Sequence, residues 1–278
     1  MNTKYNKKIN RYKQYTVLVP CYNEEETIGT VMANMISLNP KRIVVVDDGS
    51  TDKSAKIVKR IQRFSPVPII LLQNLSRGGV GFALSRGFLY CLQVEAKYIV
   101  TVDADNQHTK EDVNKVLEKS LAQPENLIIS GVRKFGEDIP LSKKFSNFCA
   151  AATFLVLYNI THPDPLCGLR VYKRSILSQL ELESGYDWVV SVNKFIKDNP
   201  NVCSFVEIAA IYTPYSLAKG QNITSGVIML ERMVRNKVLE LVTMLLRIRY
   251  SRTINNRVTI VSEKLIPDYE LNVSTDSF

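Results

Sequence analysis

Residues 16–50 read TVLVPCYNEEETIGTVMANMISLNPKRIVVVDDGS, and this stretch decides the fold. Thr16–Pro20 is a short apolar run rich in β-branched residues and closed by proline, the pattern of a buried parallel strand. Glu24, Glu25, Glu26 and Thr27 then open a segment with apolar residues at Ile28, Val31, Met32, Met35 and Ile36. That is helical spacing with carboxylates at the favourable amino end. Arg42–Val46 (RIVVV) is a second buried strand, stopped by Asp47, Asp48, Gly49 and Ser50. Strand, helix and strand in succession make a βαβ unit.

The unit repeats toward the carboxyl end. A helix is expected from about Asp52 to Phe64, a strand over Pro68–Gln73 (PIILLQ), a helix over Gly78–Leu92 and a strand over Tyr98–Val102 (YIVTV). Such alternation predicts an α/β fold, a mostly parallel sheet with helices on both faces. Further on, a helix over Glu111–Ala122 and a strand over Leu127–Gly131 precede a less regular region, 133–165, with a strongly apolar helix around Phe148–Tyr158. Leu169–Tyr172 and Cys203–Ile211 read as strands, and Trp188–Lys197 reads as a helix. Residues 1–14 are expected to be a basic, frayed arm, 15–220 the main domain, 221–250 a basic amphipathic helix and 251–278 a loose tail.

Composition sets wide bounds. The 278 residues suit one large domain or a domain with an appendage, and 45% hydrophobic with 23% charged residues is ordinary for a globular chain. Lys and Arg number 36 against 27 Asp and Glu, a net charge of +9 that favours phosphate-bearing partners: nucleotides, nucleic acid or anionic lipid. The five cysteines form no CxxC pair and read as free thiols of a reducing compartment. The basic, polar start is unlike a signal peptide, and no apolar run reaches the roughly 18 residues of a membrane span.

Ligands of open α/β sheets bind beyond the carboxyl ends of the strands. Three strand ends are rich in polar residues: Pro20–Glu25 (PCYNEE), Asp47–Asp52 (DDGSTD) and Asp103–His108 (DADNQH). Asp103 and Asp105, one residue apart after an apolar strand, would repel each other. A divalent cation, Mn2+ or Mg2+, relieves that repulsion, with Gln107 offering a further oxygen. Asp47 and Asp48 can accept hydrogen bonds from a base or ribose, and Gly49 lets backbone pass close to a ligand. The same turn also suits plain helix capping through Ser50 and Asp52. The backbone after Pro20 and the ring of Tyr22 are candidates to hold a nucleobase, with Glu24 or Glu25 nearby. His108 and His162 read as loop or cap residues.

These three turns, in this order, resemble the family 2 glycosyltransferases of the GT-A fold, and more narrowly those of the dolichyl-phosphate mannose synthase type, over roughly residues 15–215. The resemblance implies that Pro20, Tyr22, Glu24, Asp47 and Asp48 bind the nucleotide. It likewise implies that Asp103, Asp105 and Gln107 bind the metal and the donor diphosphate. It continues in DPLCGLRVYKRSIL (164–177), where Asp164, Gly168 and Arg170 are the matching positions of an active-site wall. Arg133, in SGVRKFG, matches a basic residue that contacts an acceptor phosphate, and Lys143 or Lys144 can add a second charge. The chain departs from the family pattern in two places. EIAAIYTPYSLAKG (207–220) has no Arg and only Lys219 as a replacement, and GYDWVVSVNK (185–194) leaves Asp187 as its one carboxylate.

The expected activity is inverting, metal-dependent transfer of a sugar from a GDP- or UDP-sugar to a membrane-associated acceptor, a polyprenyl phosphate or a glycan hydroxyl. Asp105, Asp164, Asp187 and Arg170 are the candidate catalytic residues. A lipid phosphate is already anionic, whereas a hydroxyl requires a general base, for which Asp164 and Asp187 are candidates. The segment Ile228–Arg249 either lies at a membrane surface or docks on the domain or a second copy, so peripheral attachment to the cytoplasmic face of a membrane and a homodimer are both expectations. A nucleotidyltransferase would show a Gly-rich phosphate loop, which PCYNEE is not. A nucleic-acid-binding module fits the charge but not the acidic strand ends, so no nucleic acid is expected.

Overall fold

The apolar runs of the amino-terminal half become strands. These are β1 (Tyr15–Cys21), β2 (Arg42–Asp47), β3 (Ile69–Gln73) and β4 (Tyr98–Thr101), linked by α1 (Ile28–Ser37), α2 (Ser54–Gln62) and α3 (Val80–Gln93). After α4 (Lys110–Ala122) come β5 (Ile128–Arg133), α5 (Leu141–Tyr158), β6 (Arg170–Lys173), α6 (Arg174–Leu177), β7 (Glu181–Glu183), α7 (Trp188–Asp198), β8 (Cys203–Ile208) and β9 (Arg257–Thr259). This computed structural model describes residues 11–134, 136, 139, 141–183, 188–209, 211, 230–231, 233–235, 237–239 and 257–259, without the side chains of 142, 181–183 and 257–259.

One sheet runs in the order β3-β2-β1-β4-β6-β5-β8. Its first four strands are parallel, β6 is antiparallel to both β4 and β5, and β8 is parallel to β5. Alternation along each strand sorts side chains to two cores. Val17, Val19, Ile43 and Val45 meet one helical layer, with Met32, Val58 and Val116. Leu18, Val44 and Val46 meet the other, with Leu84, Phe88, Phe154 and Trp188. The sheet is therefore covered on both faces.

The chain moves outward from β1 to β2 and β3, then returns to place β4 on the other side of β1. That reversal is a topological switch point, where a crevice opens beyond the carboxyl ends of the two flanking strands. The β1–β4 register ends at Leu18 opposite Thr101, followed by a bond from the Val102 N–H to the Leu18 carbonyl. Pro20 comes next on that side and has no N–H to extend the pairing. The turns after β1 and β4 thus flank the crevice.

Several boundaries correct the sequence reading. Residues 11–14 are not frayed: Tyr12 is buried, and its hydroxyl donates to Asn114 and Glu118 on α4, because an aromatic ring with a polar tip gains more docked than dangling. The three glutamates precede α1 rather than opening it, since the helix starts at Ile28. The apolar helix begins at Leu141, one to two turns before Phe148, because its lysines and small polar residues are compatible with helix. Within the segment read as a loose tail, Arg257–Thr259 pairs with β7. The described residues of 230–239 are helical, and the rest of the expected helix at 228–249 lies outside the described residues.

Candidate active site

The turns after β1 and β2 are tied into one unit. The Asp48 N–H donates to the Cys21 carbonyl, the Asn23 N–H to Ser50 Oγ, and the Glu24 N–H to Ser54 Oγ. Glu25 Oε2 accepts from the Lys53 N–H at the start of α2, while Asp52 Oδ2 accepts from the Glu25 N–H. Glu25 therefore caps a neighbouring helix. Asn23, at φ 54°, occupies the left-handed region, where its side-chain oxygen receives the Thr51 N–H.

Asp47 and Asp48 are buried, and protein donors already bind both. Asp47 accepts from the Ser50 N–H and from Gln73 Nε2. Asp48 accepts from Asn74 Nδ2 at 2.7 Å and from the Gly78 and Gly79 N–H groups at 2.9 and 2.7 Å. The structure thus gives Asp48 a holding role: it anchors the 74–79 loop against the second turn. Gly49 makes this possible, because at φ +74° a Cβ would sit 2.7 Å from the Ser76 carbonyl carbon. The anchored loop sets the Arg77 guanidinium 4.3 Å from the centre of the Tyr22 ring. The sequence reading missed Arg77, whose signal was a cation inside the Gly-rich SRGG run.

After β4 the chain turns through Asn106 at φ 60°, placing Asp103 and Asp105 at the crevice. The Asp103 side chain is 40% exposed, and its Oδ2 lies 3.2 Å from His108 Nε2. Gly168 backs it so closely that a Cβ there would be 2.4 Å from Asp103 Oδ1, so only glycine leaves room for the carboxylate. Partial desolvation pushes the Asp103 pKa up, but the His108 hydrogen bond and charge and the Arg133 and Arg170 charges outweigh it and hold the group below the usual carboxylate range. Asp105 goes the other way. Burial first, then the Asp103 charge and more weakly Glu24, push it up to about 6. The Gln107 N–H donates to Asp105 Oδ1, and the Gln107 carbonyl accepts from the Ile211 N–H. His108 lies in the loop, as expected, and is buried there against Asp103.

Two carboxylates in electrostatic conflict beside a crevice suit a hard cation. Among the described residues no group of three or more His, Cys, Asp and Glu side chains gathers to cage an ion. A hard divalent cation can be held by one or two carboxylates with water and substrate phosphate completing its shell, so Asp103 and Asp105 are the residues that would hold one. The donor set fits such an ion.

The DPLCG segment forms the adjoining wall. Asp164 is fully buried and clasped by Arg133, through Nε to Oδ2 and Nη2 to Oδ1 at 2.7 Å each, with the Arg133 N–H adding 3.0 Å. Burial raises its pKa, yet the Arg133 hydrogen bonds and charge dominate and hold it ionised. This corrects the expectation of Asp164 as a general base, because a clasped, low-pKa carboxylate is a poor proton acceptor. His162 Nδ1 accepts the Asp164 N–H, and burial, then the Arg170 charge, lower its pKa to about 3. His162 is a loop residue, as expected, and is buried there.

Arg170 is wholly buried. Its guanidinium donates to the Cys167 and Pro165 carbonyls and lies 5.6 Å from the Trp188 ring centre, so it supports the wall from behind and does not reach the crevice. Pro20 and Tyr22 are half-buried at the end of β1, and Lys144 is half-buried on α5. Asp187 and Lys219 lie outside the described residues.

An α/β sheet whose switch point carries paired carboxylates and a braced aromatic side chain has the make-up of an enzyme site for a phosphate-bearing ligand. Residues 16–181 match glycosyl transferase family 2, and the chain belongs to that family. It is 31% identical over 229 residues to an uncharacterised protein of Methanocaldococcus jannaschii, covering 80% of this chain and 91% of that one. It is 28% identical over 227 residues to the UDP-N-acetylglucosamine–dolichyl-phosphate N-acetylglucosaminyltransferase of Methanococcus voltae, covering 76% and 90%. Its fold is similar to the GT-A fold of glucosyl-3-phosphoglycerate synthase from Mycobacterium tuberculosis in complex with Mn2+ and UDP-glucose, at TM-score 0.61 and 17% identity over 86% of this chain and 83% of that one. The chain is a glycosyltransferase with a GT-A fold.

Proposed function

We propose that this enzyme transfers a sugar, with inversion, from a UDP- or GDP-sugar to a polyprenyl phosphate at the cytoplasmic face of a membrane, using Mn2+ or Mg2+ held by Asp103 and Asp105. The observation that carries the reading is the seating of Asp103 on Gly168 beside Asp105, at the switch point where the turns after β1 and β4 meet. The dolichyl-phosphate acceptor in the name of the M. voltae relative supports the acceptor class, and the Mn2+ and UDP-glucose of the M. tuberculosis enzyme support the metal and donor class.

A bound divalent ion supplies neutralisation of the departing nucleotide diphosphate. The protein's own part is orientation. Tyr22, faced by Arg77, offers a stacking surface for the base, with Glu24 alongside. Asp103 is held by His108 and Gly168, so its oxygens are fixed before the ligand arrives, and Gln107 braces Asp105 through its backbone. An acceptor phosphate is anionic at neutral pH and requires cations, not a base. Arg133 and Lys144, with Lys219, are the cations assigned to it. The clasped state of Asp164 makes it a poor base, which leaves Asp187 as the candidate a sugar-hydroxyl acceptor would need.

The test is a panel of UDP-, GDP- and dTDP-sugars scored by thermal stabilisation, then by transfer of labelled sugar to a polyprenyl phosphate. At least one donor is expected to raise the Tm only with Mn2+ or Mg2+, and Asp105→Ala should lose both the shift and the transfer. Metal-independent stabilisation that survives in the variant would contradict the assignment.

A further inference from the structure

Helix α5 has two apolar faces, and the core covers only one of them. Ala150, Phe154 and Tyr158 are buried, while Leu141, Phe145, Phe148, Leu155 and Val156 are 80, 68, 68, 50 and 79% exposed. At 3.6 residues per turn the five exposed residues fall within about 100° of arc along about 22 Å of helix, roughly opposite the buried side. A helix on the surface of a water-soluble domain normally turns charge toward solvent there. The sequence of α5, LSKKFSNFCAAATFLVLY, has no acidic residue and carries its two lysines in the first turn.

The charge pattern and the position of the helix point to one occupant. Lys144 borders the stripe and is half-buried, with its charge at the amino-terminal end of the helix. Asn147 of α5 donates to the Pro163 carbonyl, next to the Asp164 that Arg133 clasps, so the helix hangs on the wall assigned to the acceptor. No helix among the described residues is long and apolar enough to cross a membrane. An apolar stripe bordered by a cation, here Lys144, on a helix with no acidic residue is the make-up of a helix lying in a bilayer interface, its apolar side among the acyl chains and that lysine toward anionic headgroups.

We propose that the exposed face of α5 docks in the plane of an anionic lipid bilayer, setting the Arg133–Asp164 wall at the height of a lipid-linked phosphate. This deepens the polyprenyl-phosphate reading and rests on it for the role of the wall, but the docking itself is tested separately. The full chain is sedimented with mixed phosphatidylcholine and phosphatidylglycerol vesicles, and with phosphatidylcholine alone. Wild type should partition onto the mixed vesicles more strongly than onto the neutral ones. Phe145→Ser with Phe148→Ser should lower that partition by about a hundredfold, about tenfold for each large apolar side chain removed from the bilayer. Both positions are exposed, so the Tm and its donor-induced rise should be unchanged. Equal vesicle binding by variant and wild type would overturn the proposal, as would a wild-type dimer that the substitutions split while vesicle binding stays constant. Stripe-dependent vesicle binding by an enzyme that no nucleotide-sugar stabilises would uphold the docking and count against the sugar-transfer reading instead.

Discussion

The two halves of the crevice are built in different ways. On the side of β1, β2 and the 74–79 loop, polar side chains are spent on backbone groups of neighbouring turns: Asp48 on three donors, Ser50 and Ser54 on the β1 turn, Glu25 on the start of α2. On the side of β5, β6 and α5, charge is buried against charge. Arg133 clasps Asp164, while the buried Arg170 guanidinium donates to the Cys167 and Pro165 carbonyls and faces the Trp188 ring. Several buried polar atoms there, Arg170 Nη1, Asn193 Oδ1, Trp188 Nε1 and His162 Nε2, have no hydrogen-bond partner among the described residues. The first side is a hydrogen-bonded cradle and the second an electrostatic wall.

The largest effect is expected at the wall. Arg133→Met leaves the Asp164 carboxylate buried without its cation, which should cost about 3–5 kcal/mol in a denaturant melt. Adding Asp164→Asn should recover a large part of that loss. If the single and double variants were equally unstable, the clasp would not be the stabilising element. At the junction of the two sides, Gly168→Ala should displace Asp103 and reduce metal-dependent donor binding at least about tenfold by calorimetry, a shift of about 1.4 kcal/mol. Its effect on overall stability should be smaller than that of Arg133→Met. Unchanged donor affinity would mean that Asp103 does not need its present seat.

Within the cradle, Asp48→Ala should strip three donors of their acceptor and cost about 1–3 kcal/mol. Loosening the loop that carries Arg77 should also weaken donor binding, and Asn at position 48, which keeps one acceptor oxygen, should be milder. The smallest effect concerns pH. The His162 pKa is depressed to about 3 in the folded protein against about 6.5 in an unfolded chain, so below pH 6.5 the unfolded state binds the extra proton and stability falls with acidification. His162→Asn, which can still accept the Asp164 N–H, should remove that term and gain on the order of 1–2 kcal/mol over wild type at pH 5, with no difference at pH 8. Asp164 and Asp103, whose pKa values are lowered, lose their contributions only below the ordinary carboxylate range. A difference independent of pH would place the His162 effect in packing instead.

Much of the cradle was legible from local pattern, and much of the wall was not. TVLVP, RIVVV and YIVTV announce strands because short β-branched runs between turn residues have few other options. The acidic clusters behind them mark the carboxyl edge of a parallel sheet. The role of each acid within a cluster was not legible, because it depends on partners far along the chain: Asp48 on Gly78 and Gly79, Asp103 on Gly168, Asp164 on Arg133. The place of His108 in a loop is legible, but its burial against Asp103 is not, because an isolated histidine in a polar turn carries no period. Tyr12 was assigned to a frayed arm because its partners, Asn114 and Glu118, lie on a helix far along the chain. The exposed stripe of α5 was hidden by its buried one, since an all-apolar run gives no sign of which face the core will take.

The most direct test of the central claim is Mn2+ binding followed by electron paramagnetic resonance, with and without a nucleotide diphosphate, on wild type and on Asp105→Ala. The account predicts that wild type takes up one ion whose affinity rises when the nucleotide is present, and that the variant loses this coupled uptake while keeping its Tm. Equal, nucleotide-coupled Mn2+ binding by the two proteins would contradict it.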